Sequence, residues 1–171
     1  MISQKEDTTL ELGGKRKKVT MFFSDIRGFT SYSETRAPEN VISMLNSYLS
    51  FQADIIHKYN GAVDKFVGDE VMAIFEGKNM VEDAIKTAIE IQQRVKKENK
   101  NRDEDIHIGI GIHTGEGVMG DMGSKDRMDY TVIGDNVNVA ARLCDVAKPD
   151  QILVTESTLE YVKDKFQLGK K

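Results

Sequence analysis

Two aspartates stand where a strand gives way to a turn. Asp25 closes the run "KVTMFFSDI" (18–26), in which Val19, Met21 and Phe23 alternate as the residues of a strand do. Asp69 follows Gly68 inside "DKFVGDEVMAIF" (64–75), whose two apolar halves predict a hairpin. If these strands are neighbours, the two carboxylates converge. Two carboxylates completed by phosphate oxygens and water are the usual holding for Mg²⁺; each aspartate alone is also what turn chemistry selects. Asn138 and Arg142 lie four apart in "DNVNVAARLCDVA" (135–147), so a helix places them on one face. An amide beside a guanidinium can orient a sugar and neutralise phosphate charge, and an ordinary polar helix face has the same composition. Lys65 precedes Asp69 by four residues, about 13 Å along a strand, too far to share a metal site with it; a solvated strand face accounts for it. Glu70 reads as a solvent-facing strand residue. Thr131, on the segment leading into the 135–147 helix, carries no signal by itself.

The elements that must position these residues follow from periodicity. A polar lead-in with Gly13-Gly14 precedes the first strand, and residues 1–17 read as a linker, its "KRKK" (15–18) solvated. "RGFTSYSE" is a loop or short helix. Pro38 suits the first turn of a helix, Val41, Leu45, Tyr48, Leu49, Ile55 and Ile56 continue it, and Gly61 stops it. After the hairpin, a second helix is expected over about 80–99, with Ala84, Ile85, Ala88, Ile89 and Val95 on one face. "DIHIGIGIHTG" (105–115) alternates four isoleucines, and Gly109 and Gly111 on its other face invite close approach by a helix or another backbone. "TGEGV" predicts a hairpin turn and "RMDYTVIG" (127–134) a strand or extended segment. The 135–147 helix is expected to be capped by Asp135 and ended by Lys148-Pro149. "QILVT" then gives a short strand and "ESTLEYVKDKF" a short helix. This order predicts an α+β sandwich, with two helices on one face of an antiparallel-rich sheet.

Bulk properties exclude several functions. A chain of 171 residues, 39% hydrophobic and 30% charged, suits one domain with a filled core. No apolar run approaches the ~18 residues of a membrane span, and "MISQKEDTTL" lacks the apolar stretch of a signal peptide; a cytoplasmic location is expected. A net charge of −4 argues against nucleic acid as a partner. Cys144 is the single cysteine, so no intrachain disulfide forms; on an apolar helix face it reads as core. His57, His107 and His113 show no metal spacing and read as surface or sheet residues. There is no Walker-A loop.

Taken jointly, "VTMFFSDIRGFT", "VDKFVGDEVMAIF" and "YTVIGDNVNVAARL" resemble the catalytic domain of class III nucleotidyl cyclases, of the bacterial adenylyl type. The resemblance runs from about residue 18 to 168, and three long motifs in order are far more specific than any one. It implies a ferredoxin-like βαββαβ sandwich over 18–171, preceded by the end of an upstream signalling segment. It also implies a two-metal reaction converting a nucleoside triphosphate to its 3′,5′-cyclic monophosphate and pyrophosphate. Residue by residue, Asp25 and Asp69, with the Ile26 carbonyl, would hold two Mg²⁺ or Mn²⁺ ions. The backbone at Phe29 and Thr30 would touch phosphates, Asn138 would position the ribose, and Arg142 would stabilise charge on the α-phosphate. Arg127 would meet the triphosphate.

Lys65 and Thr131 fall at the family's two base-reading positions. Lysine donates to adenine N1, whereas guanine N1–H needs an acceptor, and guanylyl members have glutamate at the Lys65 position; ATP is therefore the expected substrate. Many relatives have aspartate at position 131. The family's active site spans a head-to-tail dimer, metal aspartates from one chain and base, ribose and transition-state residues from the other. This chain carries both halves, so a homodimer with two equivalent sites is expected, and a monomer should be inactive. Relatives carry a further triphosphate-contacting lysine on a basic strand beyond "FQLGKK"; it has no clear counterpart here, Lys170 or Lys171 is the available substitute, and the C-terminal end of the domain is expected to be truncated. The competing expectations are a guanylyl cyclase of the same fold and a cyclase-like domain that only dimerises and regulates. A diguanylate cyclase relic in "GDE" is disfavoured because the second glycine is missing.

Overall fold

The structure is a computed structural model that describes residues 14–169. Residues 1–13 of the expected linker lie outside it, as do Lys170 and Lys171. In chain order the elements are β1 (Lys15–Ile26), α1 (Phe29–Glu34), α2 (Pro38–Lys58), β2 (Ala62–Val67), β3 (Glu70–Phe75), α3 (Met80–Asn99), β4 (Ile108–Ser124), β5 (Arg127–Ile133), α4 (Asp135–Val146), β6 (Ile152–Val154) and α5 (Glu156–Leu159), followed by a 3₁₀ turn at Glu160–Val162. The fold is α+β, with a six-stranded sheet in the order β2-β3-β1-β4-β5 and β6 paired to β4. Every pairing is antiparallel except β4 with β6. No described helix is long and apolar enough to cross a membrane.

Helices cover both faces of the sheet. Phe22, Val71, Ala73, Ile108, Ile110 and Ile112 face α2 and α3 in one apolar cluster, while Val19, Met21, Phe23, Met72 and Ile74 face Ala140 and Cys144 of α4 in a second. The sequence expectation put two helices on one face and, at Gly109 and Gly111, a helix or another backbone close against the other. A strand covered on both sides loses its polar alternation, and Val19–Ser24 is buried throughout. Gly111 is what lets α4 close on the sheet: a Cβ there would stand 2.4 Å from the Cys144 nitrogen.

Several local expectations are corrected. "TGEGV" is no turn: β4 runs unbroken for 17 residues and the chain reverses at Lys125-Asp126. Its glycines serve close packing instead, since a Cβ on Gly115 would meet Asn136 and one on Gly117 would meet Val132, each at 2.4 Å. Because β4 continues, β1 finds partners as far back as Lys15, which pairs with Met119. Lys15–Lys18 are thus solvated, as expected, but lie within the strand and outside any linker. Asp135 makes no capping hydrogen bond; Gly134 precedes the helix. Ile89, expected on the apolar face of α3, is 37% exposed, and Thr87 and Ile91 are buried. The terminal "ESTLEYVKDKF" forms only the four-residue α5 and a 3₁₀ turn.

Candidate active site

Both expected metal-binding aspartates sit at one end of the sheet, Asp25 at the end of the central strand β1 and Asp69 in the β2–β3 turn. The β1–β3 register carries Ser24 opposite Val71, so the end of β1 lies beside the β2–β3 turn, where Gly68 adopts a left-handed φ of 60° that glycine takes without strain. Asp69 Oδ2 accepts a hydrogen bond from the Ile26 N–H at 3.0 Å, which places its carboxylate against the peptide following Asp25. Asp25 Oδ1 is engaged by the Arg27 guanidinium. That guanidinium also donates to the carbonyls of Asp145 (3.0 Å) and Ala147 (2.9 Å), at the end of α4. Arg27 lies over Gly109, whose added Cβ would come within 3.0 Å of Cζ. The close approach expected at Gly109 is therefore made by a side chain.

Glu70 departs from its expected role. It shares a sheet face with Met72 and Ile74, is half-buried, and brings its carboxylate within 4.8 Å of those of Asp25 and Asp145. Burial pushes its pKa up, with Asp145 and Asp69 adding to the shift. Beneath this cluster Cys144 is core, as expected: burial pushes its thiol up to about 12, partly opposed by Arg27.

Lys65 and Thr131 come from opposite edges of the sheet, β2 and β5. They meet through a residue the sequence did not single out. Asp64 Oδ2 accepts the Thr131 hydroxyl at 2.9 Å and lies 3.5 Å from Lys65 Nζ. Thr131 is 4% exposed and the Asp64 side chain 5%. The pairing of β2 with β3 shifts register between Val63 and Lys65. In a regular strand Asp64 and Lys65 would point to opposite faces; a bulge re-aims one of them. No sequence signal marks such a bulge. Arg127, at the start of β5, shares the Thr131 face but is exposed, about 13 Å further along the strand.

Asn138 and Arg142 are exposed on α4, four residues apart as expected, and neither hydrogen-bonds another described residue. The start of α4 is fixed by its neighbour: Asn136 Oδ1 accepts from His113 Nε2 at 2.8 Å and Asn136 Nδ2 donates to the Glu116 carbonyl at 2.9 Å. His113 is buried in the sheet and its Nδ1 meets Thr155 Oγ1 at 2.8 Å. Phe29 and Thr30 open α1, where a helix leaves backbone N–H groups without intrahelical partners.

A family profile described as "Adenylate and Guanylate cyclase catalytic domain" matches residues 14–171. The chain belongs to that family, and it is a cyclase catalytic domain of the adenylyl/guanylyl type. An adenylate cyclase of Anabaena cylindrica is 40% identical over 161 residues, covering 88% of this chain and 32% of that protein. The chain thus spans about a third of that relative's length. Among solved structures, the guanylyl cyclase Cya2 superimposes with a TM-score of 0.88 at 33% identity, covering 92% of this chain and 84% of that one. The adenylyl cyclase CyaB of P. aeruginosa gives 0.82 at 38% identity, covering 88% and 83%. Structures named as a guanylyl and as an adenylyl cyclase thus share this fold.

Proposed function

We propose that this chain is the catalytic domain of an adenylyl cyclase that converts ATP to 3′,5′-cyclic AMP and pyrophosphate at sites shared between two copies of the chain. One observation carries the choice of ATP: Lys65 and Thr131, 66 positions apart on opposite sheet edges, are gathered at one point around Asp64. A lysine ammonium donates to adenine N1 and has nothing to offer guanine N1–H.

The carboxylate corner fits hard divalent cations. Its donors are all oxygens, which Mg²⁺ and Mn²⁺ prefer. Asp25 and Asp69 each have one oxygen engaged and a second without a partner among the described residues. Asp25, Asp69 and the Ile26 carbonyl would hold two such ions, with Glu70 close by. Bound there, divalent cations lower the pKa of a ribose 3′-hydroxyl and neutralise triphosphate charge. Asn138 holds the ribose so that O3′ faces the α-phosphorus. O3′ bonds to that phosphorus as the bond to the bridging oxygen of the pyrophosphate breaks, and the O3′ proton leaves to solvent. Arg142 stabilises the charge that develops on the α-phosphate, the kind of electrostatic work that dominates phosphoryl transfer. The backbone at Phe29 and Thr30 and the Arg127 guanidinium receive the remaining phosphates.

The shared site is supported by what the site-bearing hairpins leave uncovered. Phe66 and Val67 on β2, and Met122, Met128, Tyr130 and Ile133 on the β4–β5 arm, are exposed large apolar residues, the surface a protein contact would cover. The test is an assay of the purified chain with Mn²⁺ and ATP or GTP, read against protein concentration. Cyclic AMP should predominate, specific activity should rise with concentration as a dimer forms, and Lys65→Glu should abolish the preference for ATP. Equal use of the two nucleotides, or cyclic GMP as the main product, would overturn the adenylyl reading; concentration-independent activity would overturn the shared site.

A further inference from the structure

A threonine hydroxyl has one proton to donate and two lone pairs to accept with. Placed against a purine, it can accept from the 6-amino group of adenine or donate to the 6-oxo group of guanine, so by itself it does not choose. In this structure the proton is already committed. Thr131 is nearly sealed from solvent and gives its hydroxyl hydrogen to Asp64 Oδ2 at 2.9 Å. The receiving side chain is itself 5% exposed, and the same oxygen stands 3.5 Å from Lys65 Nζ. A buried hydrogen bond is costly to break, and here the threonine hydroxyl is the donor and the Asp64 oxygen the acceptor.

We propose that Asp64 is the residue that sets base specificity, by fixing the polarity of Thr131. With its proton held by Asp64, Thr131 offers the base lone pairs only. It accepts from an amino group at purine C6 and meets an oxygen there acceptor to acceptor. The same carboxylate, 3.5 Å from Lys65 Nζ, steadies the ammonium by charge, and Lys65 donates to purine N1. The β2 bulge is the device that permits this, because it turns consecutive residues, Asp64 and Lys65, toward one point. Thr131 thereby does the work of a carboxylate at that position. The inference rests on the proposal that Lys65 and Thr131 face the base, and Asp64 acts through Thr131 as a positioning residue.

Two measurements test it. The first uses the unaltered protein and a matched pair of substrates, N6-methyl-ATP and 6-methoxypurine riboside triphosphate. Both present a lone pair at N1 and a methyl group at the 6-position; they differ in whether that position donates or accepts. A Thr131 that only accepts favours the amino analogue in kcat/KM by about 10–100-fold, the cost of an unmatched buried polar group; equal use overturns the proposal. The second compares Asp64→Ala with the Asp64→Ala/Thr131→Asp double variant. The single variant should lower the ATP-to-GTP ratio of kcat/KM by about 10–100-fold, and the double variant should recover most of that ratio, because aspartate accepts without help. A purely structural role for Asp64 would reduce turnover of both nucleotides together and leave the ratio unmoved, which overturns the inference. Wild-type protein with no preference for ATP overturns the adenylyl reading, and this inference with it; wild-type preference with an unmoved ratio overturns the inference alone.

Discussion

The carboxylate corner and the outer face of α4 are built on different terms. Asp25 and Asp69 are partly buried and already bonded, to Arg27 and to the Ile26 N–H, and Arg27 ties the corner to the end of α4 through two carbonyls. Asn138 and Arg142 stand exposed, with no partner among the described residues, on a helix whose buried side is fixed by Ala140 and Cys144. One region is preorganised by its own chain; the other presents donors to something not yet in contact. Fold stability and catalysis should therefore be entangled in the first region and separable in the second.

The largest expected effect lies on the α4 face. Arg142→Ala should lower kcat by at least ~100-fold while leaving stability within about 0.5 kcal/mol, as for other exposed positions; a calorimetric scan beside a turnover assay checks both. A large loss of stability would break the contrast. Asp25→Asn should lower kcat as much. Mixing the Asp25→Asn and Arg142→Ala chains should then restore activity to about a quarter of wild type, since half of the dimers are mixed and each has one intact site. No recovery would mean that both regions serve a site within one chain. Arg27→Ala should show the entanglement: loss of two carbonyl contacts and the Asp25 partner should cost about 2 kcal/mol, a fall in Tm of about 4–8 °C, together with reduced turnover. The smallest effect is chemical. With its thiol pushed up to about 12 by burial, Cys144 should be alkylated at pH 8 only when the corner opens, so native protein stays unlabelled and Arg27→Ala protein labels faster; mass spectrometry reads both.

The sequence made the exposed region more legible than the bonded one. Spacing alone placed Asn138 and Arg142 on one face, because helical period survives whatever packs around it. It placed Asp25 and Asp69 at strand ends and found the isoleucine face of β4. It mistook Glu70 for a solvent-facing residue and passed over Arg27, Asp145 and Asp64, because their roles depend on which elements fold against them. Arg27 acquires its partners from the end of α4, some 120 positions away, and Asp64 from a bulge that no residue pattern announces. The turn expected at "TGEGV" failed for a related reason: glycine signals either a reversal or a close approach, and only the neighbours Asn136 and Val132 decide which.

The hydrogen bond between Thr20 and Thr114 joins positions 94 apart, and with it the central pairing of β1 and β4. On a ribosome adding roughly 5–20 residues per second, β1 waits about 5–20 s for its partner to emerge. During that interval "VTMFF" is an apolar strand with one edge, at least, unsatisfied, the kind of segment that pairs with other chains. The four cations immediately before it, Lys15, Arg16, Lys17 and Lys18, are what natural sequences set beside such segments to discourage aggregation. Exposed on β1 and set directly before its apolar half, such a basic run disfavours pairing with other chains until β4 arrives.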